Sequence, residues 1–303
     1  MTAAARTFAD LVDLEPDPDG AEDVFLARSP SYPPRIFGGQ LVAQSLLASG
    51  RTVPEGWLAH SLHTYFLNPG KPDRPLHLHV DRLRDGRSFA ARRVQARQGG
   101  RIATDVTISF ASPEPPSGGR LEHGQSMPAD LPDPLSLPTT DEWLAEAGLG
   151  EYMQLSRARD VLDVRFATEP PPLLRLAGKP LPLVTRAWAR IKHPLDDHPL
   201  THQAALAYLS DTTLGDNTVA PYNVVRVIDG GVSASLDHAV WFHRPFRADE
   251  WMLYETVSPV AIANRGLIRG AMFDRDGRHI ATTTQEMLVR LPDGVGYTEP
   301  ARD

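Results

Sequence analysis

The strongest constraint on this chain is one order of elements written twice. A helix-like stretch with apolar residues on most faces, "FGGQLVAQSLLASG" (37–50), is followed by four strand-like segments at 58–69, 75–86, 88–100 and 101–111. The stretch "HQAALAYLSDTTLGDN" (202–217) is likewise followed by segments at 233–245, 250–260, 264–277 and 278–290. Each segment carries β-branched or aromatic alternation and ends at Gly, Pro or an Asp-Gly pair. Local matches fall at corresponding places: Phe66-x-x-Pro69 with Phe242-x-x-Pro245, and Ile102-Ala103-Thr104 with Ile280-Ala281-Thr282. A unit repeated about 175 residues apart points to duplication. A long apolar helix followed by antiparallel strands has to bury itself against their concave face. The expected fold class is α+β: a helix wrapped in a sheet, twice.

Between the halves proline takes over, and it is over-used in the whole chain, at 28 of 303 residues. Residues 111–138 hold seven prolines and little apolar periodicity, which reads as a linker. A short helix is expected after it, with Thr140 as N-cap before "DEWLAEAG". A second break, "TEPPPLLRLAGKPLP", covers 168–182. The expected domains are 1–111 and 183–303, joined by a proline-rich crossing over 112–182.

Composition narrows the chemistry. A net charge of -7 argues against nucleic acid as the main partner. With no cysteine there is no disulfide, thiolate metal site or cysteine nucleophile. No apolar run reaches the roughly 18 residues of a membrane span. The N-terminus lacks the apolar core of a secretory signal, and "EPARD" does not resemble a peroxisomal tripeptide, so a cytoplasmic location is expected. There is no G-x-S-x-G elbow, G-x-G-x-x-G, P-loop or H-E-x-x-H. His77 and His79 share a strand face, a spacing that can bind metal but that also suits surface histidines; no metal and no cofactor is expected. Arg82, Arg84, Arg87, Arg92, Arg93 and Arg97 form a basic patch, either a phosphate holder or a solvated strand face.

One residue breaks the local rules. Asp211 follows the apolar core of the second helix, near an end expected at Gly215. The helix dipole makes that end negative and disfavours an acid by about 0.3–1 kcal/mol. Burial makes it worse. From spacing alone, Asp211 as a C-terminal polar residue, Ser235 as a strand filler and Gln285 as a satisfied core amide remain open. Gln285 alternates in phase with Ala281, Met287 and Val289, a set expected to face the helix. Ser235 is ambiguous, since both faces of its strand carry apolar residues.

The motifs together resemble the acyl-CoA thioesterase II family. "LVDLEPDP", "FGGQLVAQSL", "SLHTYFLNPG", "LRDGRSFAARRV", "EHGQSMP", "LAYLSD", "LDHAVWFHRPF" and "ATTTQE" appear in the family's order, and only 141–182 matches poorly. The resemblance implies a double hotdog fold, two helix-wrapped antiparallel sheets pairing into one long sheet. It implies hydrolysis of fatty acyl-CoA to free acid and coenzyme A, and a homodimer or homotetramer. It also implies that three residues of the second half position a hydrolytic water. These fall on Asp211, on Gln285, and on Ser235 where the family has threonine. Serine keeps a hydroxyl but lacks the methyl that stiffens χ1. His63 matches a family histidine, read as structural or supporting.

The amides of Gly38 and Gly39 open the first helix. They could polarise the thioester carbonyl, or the glycines only let the helix enter under the sheet. Gln40 and Gln44, spaced i, i+4, are candidates to line the same cleft. Alternative readings are a non-catalytic acyl-CoA binder or sensor on the same fold, and a thioesterase working through an acyl-enzyme on Ser235 or Asp211.

Overall fold

The computed structural model describes residues 7–29, 35–72, 74–113, 121–150, 161–212, 217–229 and 231–291. A short helix α1 (Phe8–Val12) and two short strands, β1 (Leu14–Pro16) and β2 (Val24–Ala27), precede the first repeat. That repeat is α2 (Gly38–Gly50), β3 (Leu58–Phe66), β4 (Leu76–Asp85), β5 (Phe89–Gln98) and β6 (Arg101–Ala111). The crossing carries α3 (Thr140–Glu146), β7 (Leu162–Phe166) and α4 (Pro171–Leu176), then β8 (Val184–Ile191) begins the second half. There follow α5 (Pro199–Ser210), α6 (Arg226–Asp229), β9 (Val232–Ser235), β10 (Asp237–Phe242), β11 (Met252–Ile262), β12 (Arg265–Phe273) and β13 (His279–Arg290).

All thirteen strands join one antiparallel sheet, in the order β1-β2-β4-β5-β6-β3-β10-β13-β12-β11-β8-β7, with β9 on β13. The order reads alike from both ends about the β3–β10 pair: β4-β5-β6-β3 on one side answers β11-β12-β13-β10 on the other. This is the expected pairing of two wrapped sheets into one, and it matches the duplication read from the sequence. The Phe66 and Phe242 motifs sit at the ends of the two central strands. The Ile-Ala-Thr match is one residue out of step, because Phe66 pairs with Thr104 whereas Phe242 pairs with Ala281.

The crossing is shorter than 112–182. Strand β7, inside that span, pairs with β8 and forms the far edge of the second sheet. The proline run at 170–172 starts a helix rather than only breaking one, since proline suits a first helical turn. The N-cap of α3 is Thr139, not Thr140: its hydroxyl accepts from Glu142 N while Glu142 accepts from Thr139 N, a reciprocal cap.

Helices α2 and α5 lie against each other inside the sheet, and nearly every residue of α5 is buried. They run antiparallel, because the start of α2 meets the end of α5 and Gly50 at the end of α2 meets Leu200 at the start of α5. Glycine sets this approach: a Cβ on Gly39 would stand 2.5 Å from the Tyr208 carbonyl oxygen. Helix α5 stops at Ser210, earlier than expected; Gly215 lies outside the described residues.

The basic patch is not one surface. Arg92 is 1% exposed, donating to Thr52 Oγ1, Thr52 O, Arg84 O, Ala91 O and Asp85 Oδ1. Arg82 pairs with Asp23 and Arg93 with Asp105, so these are structural ion pairs. His77 lies 3.6 Å from Asp17, and among the described residues no cluster of three or more His, Asp or Glu is arranged to hold a metal.

Candidate active site

Asp211 is the C-cap of α5, with φ -80° and ψ -7°. The antiparallel packing answers why an acid stands there. The end of α5 abuts the start of α2, so the carboxylate meets the positive end of a second dipole. A Cβ on Gly38 would come within 2.7 Å of Asp211 Oδ2, so only glycine leaves the carboxylate its place. The Gly39 N–H donates to Asp211. That amide therefore serves the carboxylate, which gives it a partner other than the substrate carbonyl envisaged from the sequence.

Gln285 faces inward from β13. Its amide nitrogen donates to Asp211 Oδ1 at 2.9 Å and to Ser235 Oγ at 2.6 Å. Ser235 reaches this face through a bulge. Ser235 pairs with Met287 but Ala239 pairs with Thr284, so β13 slips by one residue against the β9–β10 segment. Leu236 N donates to Glu286 O, and Glu286 N to Asp237 Oδ1, which fastens the slip. A one-residue slip turns a side chain to the other face, here placing Ser235 beside Met287 and Gln285. The same bulge occurs in the first repeat, between Ala59 and Ser61 on β3.

Burial pushes the Asp211 carboxyl up to about 7, and donors from Gln285, Gly39 and Ser235 offset part of that rise. A carboxylate offers about four acceptor positions. With three donors on it, one is left for a further donor such as water.

Behind this group lies polar support that the sequence reading passed over. His238 is fully buried, and burial drives its ring down to about 4, so it is neutral. Its Nε2 lies 2.9 Å from Ser210 Oγ. Its Nδ1 and Gln285 Oε1 both lack a partner at ordinary hydrogen-bond length, and Gln285 is the neighbour that most favours the ring's proton. The Tyr254 hydroxyl donates to Ser210 O at 3.1 Å and lies 2.8 Å from Thr283 Oγ1. Period-2 alternation in "LDHAVWF" places His238 on the inward face, a signal available in the sequence but unused.

The other candidates stand elsewhere. His63 is exposed on β3 and pairs with Asp237 at 3.1 Å, so it reaches the bulge rather than Asp211. Gln40 and Gln44 both donate to Leu11 O at 2.9 Å, and Gln40 also to Ser29 Oγ. Two residues along a helix turn by about 200°, so Gln40 points away from the Gly38 face and anchors the N-terminal segment.

The comparisons with known proteins bear on the family and the fold. The family model "Acyl-CoA thioesterase N-terminal domain" matches residues 28–111, and "Acyl-CoA thioesterase" matches 155–288. Acyl-coenzyme A thioesterase 8 of Mus musculus is 34% identical, covering 92% of this chain and 88% of its own. Acyl-CoA thioesterase 2 of Haemophilus influenzae is 35% identical, covering 86% and 89% respectively. The crystal structure of an acyl-CoA thioesterase II from Mycobacterium marinum superposes with a TM-score of 0.73 at 34% identity, covering 94% of this chain and 99% of that one. A protein with a hot dog fold from Alicyclobacillus acidocaldarius, 22% identical with a TM-score of 0.72 and covering 94% and 98%, shares the fold. A double hotdog with a half-buried carboxylate and serine in contact with a buried glutamine, this chain belongs to the acyl-CoA thioesterase family.

Proposed function

We propose that the protein hydrolyses fatty acyl-CoA with Asp211 as general base. The observation that carries this reading is a carboxylate titrating near neutrality with a single acceptor position left beside three fixed donors. Water donating to that position loses a proton to Asp211 as its oxygen attacks the thioester carbonyl carbon. The tetrahedral intermediate expels the coenzyme A sulfur, breaking the C–S bond. A thiol of pKa near 8.5 leaves easily, and the proton on Asp211 goes to it. The products are the free acid and coenzyme A, and Asp211 is an anion again.

Gln285 and Ser235 hold the carboxylate and water in line. The Gln285 amide nitrogen faces Asp211 and Ser235, with the buried His238 ring behind it. Gly38 N–H, at the open end of α2, is the amide left for the substrate carbonyl. The intact Asp–Gln–Ser contacts argue against a non-catalytic binder. The same reading places the protein in the cytoplasm and in fatty acid metabolism, as a homodimer or homotetramer. The sheet edges β1 and β7 support assembly.

The test is a panel of acyl-CoAs from short to very long, with Asp211→Asn as control. Hydrolysis by wild type and loss of about 100-fold or more in kcat in the variant are expected. Single turnover in 18O-labelled water places label in the acid only; label on the protein would instead show an acyl-enzyme.

A further inference from the structure

The hydrolytic centre handles the thioester, but the larger part of acyl-CoA is a nucleotide carrying three phosphate groups on a long pantetheine arm. At the same end of the fold, Asn68, Pro69, Lys71, Arg74, Gln98 and Arg101 line a cavity of about 330 Å³. Lys71, Arg74 and Arg101 are exposed, and none has a carboxylate partner among the described residues. Asp73, between two of them, lies outside those residues. Three unpaired cations together are notable in a chain of net charge -7, where most arginines among the described residues pair with acids.

The turn that presents them is built rather than loose. Gln98 accepts from Lys71 N at 2.8 Å and donates to Lys71 O at 2.9 Å and Arg74 O at 2.8 Å. Ile36 N donates to Gly70 O, tying the turn to the segment that leads into Gly38. Phe66, whose ring lies against Gly38, pairs with Thr104 on β6. Arg101 is three residues earlier on that strand, roughly 10 Å away. The pantetheine arm spans such a gap.

The duplication supplies an internal comparison. Thr104 and Ala281 hold matching register positions, so Arg101 corresponds to Arg278. The cavity there is lined by Arg244, Arg278 and the crossing segment that includes Glu122 and Ser126. Its cations are neutralised, Arg244 by Glu122 at 3.2 Å and Arg278 by Asp274 at 2.7 Å and Asp276 at 3.3 Å. Of these two corresponding cavities, the one beside Asp211 keeps its cations open among the described residues.

We propose that Lys71, Arg74 and Arg101 form the cradle for the phosphate groups of the coenzyme A nucleotide. The proposal rests on the hydrolytic reading of the Asp211 site, since it places the thioester there. Ammonium and guanidinium groups on a fastened turn bind phosphate by charge-assisted hydrogen bonds and draw an anionic substrate in. The test compares wild type with a Lys71→Ala/Arg74→Ala/Arg101→Ala variant on two thioesters of one acyl chain, acyl-CoA and acyl-pantetheine.

The expected result is a rise of about 10- to 100-fold in KM for acyl-CoA with kcat held within twofold, and no change for acyl-pantetheine. Adenosine 3′,5′-bisphosphate, titrated calorimetrically, binds wild type and not the variant. An unchanged KM for acyl-CoA, or an equal rise for both thioesters, overturns the cradle. So does equal nucleotide binding by the two proteins. If wild type cleaves neither thioester, the hydrolytic reading fails and the titration still decides the cradle. Arg101→Gln alone, with a smaller shift in the same direction, serves if the triple variant does not fold.

Discussion

Replacing Asp211 by asparagine separates two roles of this carboxylate. In the folded chain it titrates at about 7, against 3.8 for the ordinary group. A carboxyl raised by folding leaves stability complete below its unfolded pKa and removes it as pH rises through the folded value. Between pH 5 and pH 8 the wild type therefore loses about 2–3 kcal/mol through this one group, towards the lower figure because Asp211 is only partly buried by surface area. Asparagine does not titrate. Its amide nitrogen would face Gln285, Gly39 or Ser235 as donor against donor, a penalty of about 1–3 kcal/mol that does not depend on pH.

The stability of Asp211→Asn relative to wild type thus rises by about 2–3 kcal/mol from pH 5 to pH 8, whatever its starting offset. Urea unfolding of both proteins across that range measures it. Other titrating groups cancel in the difference. The same preparations are expected to show kcat down by about 100-fold or more, and wild-type kcat/KM rising with an apparent pKa near 7. A stability difference constant with pH, or one moving in favour of wild type, refutes the claim that burial raises this carboxyl.

Other perturbations follow from named contacts. Gly39→Ala drives a methyl to 2.5 Å from Tyr208 O, so it is expected to destabilise by about 2 kcal/mol or more, although alanine is the better helix former; thermal unfolding checks it. Ser235→Ala removes the acceptor for Gln285 and a donor to Asp211, lowering kcat about 10- to 100-fold, whereas Ser235→Thr keeps both and stays within about threefold. His238→Leu removes the buried ring that packs behind Gln285; kcat falls about tenfold with KM within twofold, and wild-type His238 shows no NMR titration between pH 5 and pH 8. Arg92→Met is expected to cost about 3–5 kcal/mol in urea unfolding, since Thr52 and Arg84 lose a buried donor.

The repeat and most strand positions were legible because period-2 alternation and Gly or Pro stops are local signals. Asp211 was legible as an offence against the helix dipole, and Gln285 as an inward residue of β13. Ser235 was not. Its face depends on the one-residue slip at Leu236, set by hydrogen bonds across to Glu286 that the sequence of a single strand does not encode. The roles of Gln40 and Gly39 were hidden similarly. Both face segments distant in sequence, Leu11 and Asp211, and only packing reveals which neighbour takes the hydrogen bond. Strand β7 was missed because a short, charged edge strand with an internal Asp163–Arg165 pair has little apolar signature.

The duplication shows what folding alone would have done at the site. The counterpart of Asp211, the C-cap of α5, is the C-cap of α2, which is Arg51, with nearly the same backbone angles at φ -69° and ψ -10°. A cation is what the dipole favours there. The bulge pairing Ser235 with Met287 is answered by Ala59 with Phe110, and Gln285 falls opposite Ile108 in the same count. All of Ala59, Ile108 and Phe110 are buried and apolar. The first repeat thus has the cap, the bulge and the inward position but fills them with arginine, alanine and isoleucine. Helix α1 lies over that end, with Arg51 donating to Leu14 O. The backbone does not demand the acid, serine and amide of the second repeat, because the same backbone closes without them. A carboxylate held near pH 7 by burial destabilises the fold where it is ionised, so its presence in one repeat alone supports the proposal that this half does the chemistry.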